Sequence, residues 1–203
     1  MVFVGGEIGE WEVELQQTLL GPALPNVRRI AVQSGDQVRT SPIGAWTVRG
    51  VTTNDRYTTR SEKSALLQKQ APIGRPEATR AALILLRKRP EWWAMAQDER
   101  REILEEQSHH ITIGMRYLPA VARRLLYCRD LGTLEPFDFL GYLDYAPENA
   151  ALFEELLAQL RATTEWTYID REVEIRLTKC VRDRALADDV SLARRKSSGS
   201  TCL

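Results

Sequence analysis

Hydrophobic and polar residues alternate over several short stretches of the chain, and this period of two is typical of half-buried β-strands. The alternation in WEVEL and AWTVRGV predicts strands near residues 11 to 16 and 45 to 52. It returns in FDFLGYLDY and in WTYIDREVEIRL. The apolar run at residues 81 to 88, which Pro90 ends, also has the length of a strand.

Helical patterns occupy the intervals between these strands. Thr59 and Glu62 have capping-box spacing, which predicts a helix that begins close to residue 60. PENAALFEELLAQLRA predicts another helix, and AMAQDERREILEEQSHHITIGM is typical of a long charged amphipathic one. Pro119 suits the first turn of a further helix, PAVARRLLYC, because its missing N–H is not needed there. PNVRRIAVQSGDQVRTSPIG is too rich in turn formers to assign.

Strands that recur with one or two helices between them predict an α+β protein. The architecture that fits best is a ferredoxin-like antiparallel sheet covered on one face by helices. A length of 203 residues allows one well-buried core. We expect a single domain at residues 1–180, truncated or elaborated in its N-terminal part, and a flexible tail at 181–203, where periodicity is weak.

Charge and cysteine content narrow the classes of protein. Twenty-eight basic and 28 acidic residues give zero net charge, which argues against nucleic-acid or anionic membrane partners. Cys128, Cys180 and Cys202 are widely spaced, which argues against a disulfide framework or a zinc site. No signal-peptide pattern opens the chain and no membrane-length apolar run follows, so we expect a cytoplasmic protein.

His109 and His110 are the two histidines of the chain and stand side by side. On an amphipathic helix one should face inward and the other should face water. A buried neutral imidazole can ligate haem iron when its second nitrogen donates to a carboxylate, although a half-buried structural histidine is also compatible. Arg123 follows His110 by thirteen positions and lies beyond Pro119, so the two side chains could approach a flat cofactor from opposite sides. Alternatively, Arg123 pairs with a surface acid.

The adjacent residues Trp92 and Trp93 are a second unusual feature. Such a pair usually belongs to a core, but a large planar cofactor also needs broad aromatic walls and a cation for its carboxylates. Lys88 or Arg87 could provide that cation, or could simply be the charged end of a strand.

Several longer segments resemble the chlorite dismutases, in particular their short, dimeric, cytoplasmic lineage. They include GVTTNDRYTTRSEKSALLQKQ, GRPEATRAALILLRKRPEWWAMAQDERR, EEQSHHITIGMRYLPAVARRL, CRDLG, EPFDF and LRATTEWTYIDREVEIRL. The similarity runs from Trp11 to Leu177 and keeps the family's order and spacing. It implies a homodimeric α+β barrel that binds haem b and converts chlorite to chloride and dioxygen, with the O–O bond formed at the haem iron.

The same resemblance implies roles for individual residues. His110 matches the axial iron ligand, and Glu165 matches the carboxylate that receives its Nδ1 proton. Arg123 matches a flexible arginine that orients chlorite over the iron, and Gln70 matches a glutamine that hydrogen-bonds this arginine. Four further positions match residues that line the haem and its propionates: Tyr57, Lys88, Trp92 and Trp93.

Two departures from the family pattern and three alternative functions stay open. Thr133 and Leu134 are inserted before EPFDF, and the strand LILLRK lacks a proline. The first alternative, a coproporphyrin-handling decarboxylase, is disfavoured by Arg123, which those relatives lack. The others are a haem-binding or haem-sensing protein and a structural dimer without cofactor. Arg124 and His109 are predicted to be dispensable.

Overall fold

Nine strands and five α-helices are present in a computed structural model that describes residues 1–34, 44–132 and 135–180. The strands are β1 Val2–Gly6, β2 Trp11–Leu20, β3 Arg29–Gln33, β4 Trp46–Arg49, β5 Val51–Thr52, β6 Arg80–Lys88, β7 Val121–Tyr127, β8 Phe139–Tyr145 and β9 Ile169–Lys179. The helices are α1 Arg60–Lys69, α2 Pro90–Ala94, α3 Gln97–Arg101, α4 His110–Arg116 and α5 Ala150–Arg161, with a π-helical segment at Glu102–Gln107.

All paired strands are antiparallel and form one sheet in the order β4-β1-β3-β2-β9-β6-β8-β7-β5. Within it, β6, β7, β8 and β9 follow a βαββαβ path, with α2 to α4 after β6 and α5 after β8. Their spatial order, β9-β6-β8-β7, makes this half a ferredoxin-like unit. The predicted α+β fold class is therefore confirmed.

The sheet curves until its two edges approach each other. The edge strands β4 and β5 are separated in the chain by Gly50 alone, although they pair with opposite ends of the sheet. A side chain at Gly50 would bring its Cβ within 2.7 Å of Leu126 Cβ, so glycine permits this close approach. The inner face buries one hydrophobic core, which includes Phe3, Ile30, Leu83, Leu85, Tyr142 and Ile175.

Helices cover the outer face of β6, β7 and β8. Ala82 and Ile84 alternate with the inner-face leucines of β6 and pack with Phe153 and Leu156 of α5. This alternation is the period-two pattern of a strand that is buried on both faces. A third cluster joins α1, α2, α4 and the π-helical segment, and it includes Leu66, Trp92, Ile103, Leu104 and Ile111. Together these contacts set the helices above the sheet and leave room for the site between the two layers.

The structure confirms the predicted strands, but one of them is divided into two shorter strands. The strand expected near 45 to 52 is broken at Gly50 into β4 and β5. The capping box is present, because Glu62 N donates to Thr59 Oγ1 at 3.3 Å and Thr59 N donates to Glu62 Oε2 at 2.7 Å. The segment left unassigned contains β3, and β1 was not predicted.

The prediction of one long helix before Pro119 is wrong. After α3 the chain continues as the π-helical segment, and His109 adopts a left-handed conformation with φ of 53° before α4 begins. Buried Glu105 explains the restart, since its carboxylate accepts hydrogen bonds from Ile111 N at 2.6 Å and Thr112 N at 3.2 Å. A carboxylate at the first N–H groups stabilises a new helix start.

The prediction of a helix in PAVARRLLYC is also wrong, because this segment forms β7. The strand pairs with β8 in a register that sets Arg123 opposite Leu143. Val121 belongs to the outer-face cluster and Leu126 to the inner-face core, so Arg123 and Arg124 point to opposite faces. Backbone pairing with a distant strand has overridden the local helical preference.

Some predictions fall outside the described residues. These are the tail at 181–203, the inserted residues Thr133 and Leu134, and Cys202. Across the described ranges, none of the helices combines the length and apolar character needed to cross a membrane. The domain boundary at residue 180 and the cytoplasmic location stay predictions.

Candidate active site

A cavity that is partly open to solvent lies between the outer face of the sheet and the helices, and the space within it and at its mouth amounts to about 1000 Å³. Its walls are mostly aliphatic and include Ile84, Leu86, Leu125, Leu143, Leu156 and Leu157. A large apolar pocket with a few converging polar groups is typical of a cofactor or ligand site. The side chains here that can carry charge are Arg56, Lys88, His110, Arg123 and Glu165.

His110, Glu165 and Lys88 form a hydrogen-bonded row on the helical side of the cavity. His110 Nδ1 lies 2.6 Å from Glu165 Oε2, and Lys88 Nζ donates to Glu165 Oε1 at 2.5 Å. The Ser108 hydroxyl accepts from Glu165 N at 2.8 Å and fixes the short 3₁₀ turn that carries the glutamate. Within the described part of the chain, His110 Nε2 has no hydrogen-bond partner, so this nitrogen can ligate a metal.

Glu165 is ionised although it is buried. Burial by itself would raise its pKa, but attraction to Lys88 and His110 and hydrogen bonds from both outweigh this effect and hold the pKa far below its ordinary value. The Lys88 ammonium also lies 4.4 Å from the centre of the Trp92 ring, a cation–π contact. A carboxylate anion on Nδ1 increases the electron density that Nε2 can donate.

Arg123 enters the cavity from strand β7, and its guanidinium extends to Gly114 of the helix that carries His110. The residue is 7% exposed, and burial lowers the pKa of its guanidinium to about 10, so it stays cationic at neutral pH. Among the described residues, no carboxylate pairs with this guanidinium and no side chain or backbone group hydrogen-bonds it. A desolvated cation without a partner is a strong attractor for a small anion.

Comparison with known proteins identifies the family. The family model described as chlorite dismutase matches residues 34–181. The chain belongs to the chlorite dismutase family. No curated protein matches it. It is 49% identical to the dimeric chlorite dismutase of Nitrobacter winogradskyi, with a TM-score of 0.79 over 88% of this chain and 99% of that one.

Two solved structures of chlorite dismutase from Candidatus Nitrospira defluvii are more distant. A mutant in complex with cyanide is 24% identical, with a TM-score of 0.54 over 67% of this chain and 54% of that one. The protein in complex with imidazole is 23% identical, with a TM-score of 0.52 over 66% and 54%. At this level of identity the likeness concerns the fold alone.

The residues of this cavity fit the haem that the family implies. Trp92 is fully buried in the wall, and its indole Nε1 has no hydrogen-bond partner among the described residues. Leaving such a donor unpaired is unfavourable, so a ligand with an acceptor would stabilise it. The free Nε2 of His110 suits the iron of a haem, and the apolar walls suit its macrocycle.

The remaining predicted residues divide between the cavity and its surroundings. Tyr57 lines the cavity, with a left-handed φ of 64°. Trp93 lies one layer outside, where it stacks on Phe139 at 5.9 Å and donates to Asp138 at 3.2 Å. Gln70 was predicted to hydrogen-bond Arg123, and its side-chain amide donates to the backbone carbonyl of Arg123 at 2.7 Å.

Sequence reasoning did not single out Arg56, which also lines the cavity. The residue stands in the polar turn TTNDRYTT, where an arginine has the pattern of a solvated side chain. Lys88, considered as a cation for cofactor carboxylates, is instead committed to Glu165. For Arg56, the only signal in the sequence was that its turn belongs to a segment that resembles the family.

Gly114 of α4 provides the space in which the Arg123 guanidinium lies. A Cβ at this position would overlap Nη1 and would lie 2.5 Å from Cζ and 2.7 Å from Nη2 of Arg123. Since Gly114 follows His110 by one helical turn, the histidine helix and the arginine are in direct contact. Any side chain here would force the guanidinium to move.

The Gly114→Ala substitution should therefore have different effects in two backgrounds. In the otherwise unchanged protein the end of the Arg123 side chain must move, and this cost offsets part or all of the gain of about 1 kcal/mol in helix propensity. In the Arg123→Ala background the overlap is absent, so only the gain remains. Urea unfolding of all four variants measures this coupling, and equal effects in both backgrounds would show that the contact is unimportant.

Proposed function

We propose that this protein uses haem b to decompose chlorite to chloride and dioxygen. The observation that supports the proposal is the presence of two groups in one cavity: a carboxylate-supported imidazole carried by α4 and a buried, unpartnered guanidinium carried by β7. The first suits an iron ligand and the second suits an anionic substrate. Haem b, when bound, would supply the iron at which O–Cl cleavage and O–O bond formation take place.

His110 would hold the iron through Nε2, and its orientation is fixed from two sides. Glu105 accepts hydrogen bonds from the first turn of α4, and the Glu165 carboxylate accepts a hydrogen bond from His110 Nδ1–H. Lys88 keeps Glu165 ionised, so the imidazole donates strongly to a cationic metal and favours the ferric state.

Arg123 would bind chlorite and keep the reacting chlorine species close to the iron. Its planar fork of N–H donors matches the oxygens of a small oxyanion, and the low-dielectric surroundings strengthen the attraction. The aliphatic walls exclude water and offer no competing hydrogen bonds to the anion. The wider aromatic surroundings would include Trp92, Trp93 and Tyr57.

The assembly and the role of Gln70 complete the proposal. By similarity to the Nitrobacter protein, which is dimeric, we propose a homodimer. Gln70 would act on Arg123 through the backbone of β7, because its amide meets the Arg123 carbonyl at the end of α1. A cytoplasmic location stays a prediction from the sequence.

The direct test is oxygen release from chlorite by the purified, haem-loaded protein. An oxygen electrode and chloride analysis should give one dioxygen and one chloride for each chlorite consumed, and the haem-free protein should give neither. If the haem-loaded protein shows a Soret band but releases no oxygen, the proposal fails and the haem- or coproporphyrin-handling alternative takes its place. If no Soret band forms, cofactor binding itself is refuted.

A further inference from the structure

The turn that follows β5 forms a polar part of the cavity wall. Thr53, Asn54, Arg56 and Tyr57 all line the cavity. Thr53 N donates to the Leu125 carbonyl at 2.8 Å, and Leu125 N donates to Asn54 Oδ1 at 2.8 Å. The turn is thus bonded to β7 two residues beyond Arg123, and its position relative to the cavity is fixed.

The backbone at Tyr57, next to Arg56, is held in an unfavourable conformation. Tyr57 has a φ of 64°, and a left-handed non-glycine residue costs on the order of 1 kcal/mol. Arg101 Nη1 donates to the Tyr57 carbonyl at 2.8 Å, and Arg100 Nη1 lies 3.5 Å from the Tyr57 hydroxyl. Residues with strained backbone conformations cluster at functional sites.

The Arg56 guanidinium is half-buried, oriented and electrostatically unpaired. It lies 3.9 Å from the centre of the Tyr127 ring and 5.9 Å from that of Phe139, and its Nε donates to Thr53 Oγ1 at 3.3 Å. Within the ranges that the structure describes, no carboxylate lies within 4.0 Å of it, and both Nη groups lack hydrogen-bond partners. The stacked face fixes the plane of the fork, so both Nη groups are available to an acceptor.

The charge of the cavity also calls for an anionic ligand. Lys88, Arg123 and Arg56 are cations, and Glu165 is the one carboxylate among the described lining residues. Lys88 is neutralised by Glu165, and Arg123 is assigned to the substrate in the proposed function, so Arg56 is the cation that remains for a cofactor carboxylate. Planar guanidinium groups bind carboxylates through two parallel hydrogen bonds.

We propose that Arg56 binds a propionate carboxylate of the haem and thereby sets which edge of the macrocycle faces the turn at residues 53–57. The proposal rests on the proposed function, because it requires that the cavity take a haem. It replaces Lys88, whose ammonium is used by Glu165, as the partner of a cofactor carboxylate. Removal of Arg56 should weaken the binding of haem with charged propionates. It should not weaken the binding of a haem whose propionates are uncharged.

The test compares haem b with its dimethyl ester, in which both propionates are uncharged. Wild type, Arg56→Gln and Arg56→Lys would each be loaded with either compound, and haem loss to excess apomyoglobin would be followed at the Soret band. We expect wild type to retain haem b about tenfold to a hundredfold longer than the ester, the range that one charge-assisted hydrogen bond supplies. Arg56→Gln should abolish this preference and Arg56→Lys should restore part of it.

Arg129→Gln is the matched control. Its guanidinium also stacks on an aromatic ring, 4.1 Å from the centre of Trp93, but Asp138 lies 3.9 Å away and the residue does not line the cavity. This variant should keep the wild-type preference. If Arg56→Gln accelerates the loss of haem b and of the ester by the same factor, so that the wild-type preference remains, the proposal is wrong. In that case, oxygen release by the haem-loaded wild type would still support the proposed function.

Discussion

Replacement of Arg123 by alanine should slow oxygen release from chlorite about tenfold to a hundredfold while the Soret band persists. The variant loses one charge-assisted interaction with the anion, which is worth about 1.5–3 kcal/mol. Haem binding should survive because the iron ligand and its support, His110 and Glu165, lie on the helical side of the cavity. Oxygen electrode rates at saturating and limiting chlorite, with haem content measured in parallel, check this result.

Arg124→Ala and Arg123→Lys are the controls for that experiment. Arg124 adjoins Arg123 but points to the opposite face of β7, so its loss should leave the rate unchanged. His109, which adopts the left-handed conformation before α4, should tolerate replacement by asparagine in the same assay. Arg123→Lys keeps the charge without the planar fork, so an intermediate rate is expected. Equal losses in the Arg123 and Arg124 variants would contradict a specific role for Arg123.

Replacement of Lys88 by methionine should lower the free energy of unfolding of the haem-free protein by about 3–5 kcal/mol. The ammonium and the Glu165 carboxylate are both buried, with side-chain exposures of 2% and 5%, and removal of one partner leaves the other charge poorly compensated. His110 remains as the second partner of Glu165, so the lower end of the range is expected. Urea unfolding at neutral pH measures the difference.

A surface ion pair provides the matched comparison for Lys88. Lys63 pairs with Asp55, and their side chains are 54% and 48% exposed, so Lys63→Met should cost less than about 1 kcal/mol. The double variant Lys88→Met/Glu165→Gln should recover part of the lost stability, since no unpaired buried charge remains. A loss as small as that of the Lys63 variant would contradict the importance of the buried pair.

The effect of Lys88 should also depend on pH in a defined direction. The pKa of Glu165 is lower in the folded than in the unfolded protein, so its ionisation contributes stability above the unfolded value of about 4.5. This contribution is lost as the pH falls through the lower, folded pKa. The difference between wild type and Lys88→Met should therefore be constant near neutral pH and should shrink below about pH 4.5.

Local signals account for the parts of the structure that could be predicted correctly. The capping box at Thr59 and Glu62 involves residues three apart, and the alternation in β2, β8 and β9 is read within a few residues. The recurrence of strands and helices was then enough to indicate the ferredoxin-like class. The motif segments indicated the family, which the matched region confirms.

Contacts between distant residues account for the errors. PAVARRLLYC has a helical pattern, but it became β7 because its backbone pairs with β8 about twenty residues later. The helix before it restarts at His110 because the carboxylate of Glu105 folds back onto the next turn. Both outcomes depend on which groups come together after folding, and the periodicity of a short window does not contain this information.

The sequence alone thus determined the family, the fold class and the residue types from which a haem and anion site could be built. The tertiary structure decided how those residues are used: Lys88 neutralises Glu165, Arg123 and Arg124 point to opposite faces of β7, and Arg56 remains unpaired beside the cavity within the described residues. The physical reason is that periodicity and capping act over a few neighbouring residues. Burial and pairing of charges depend instead on side chains that only the closed sheet and its covering helices bring together.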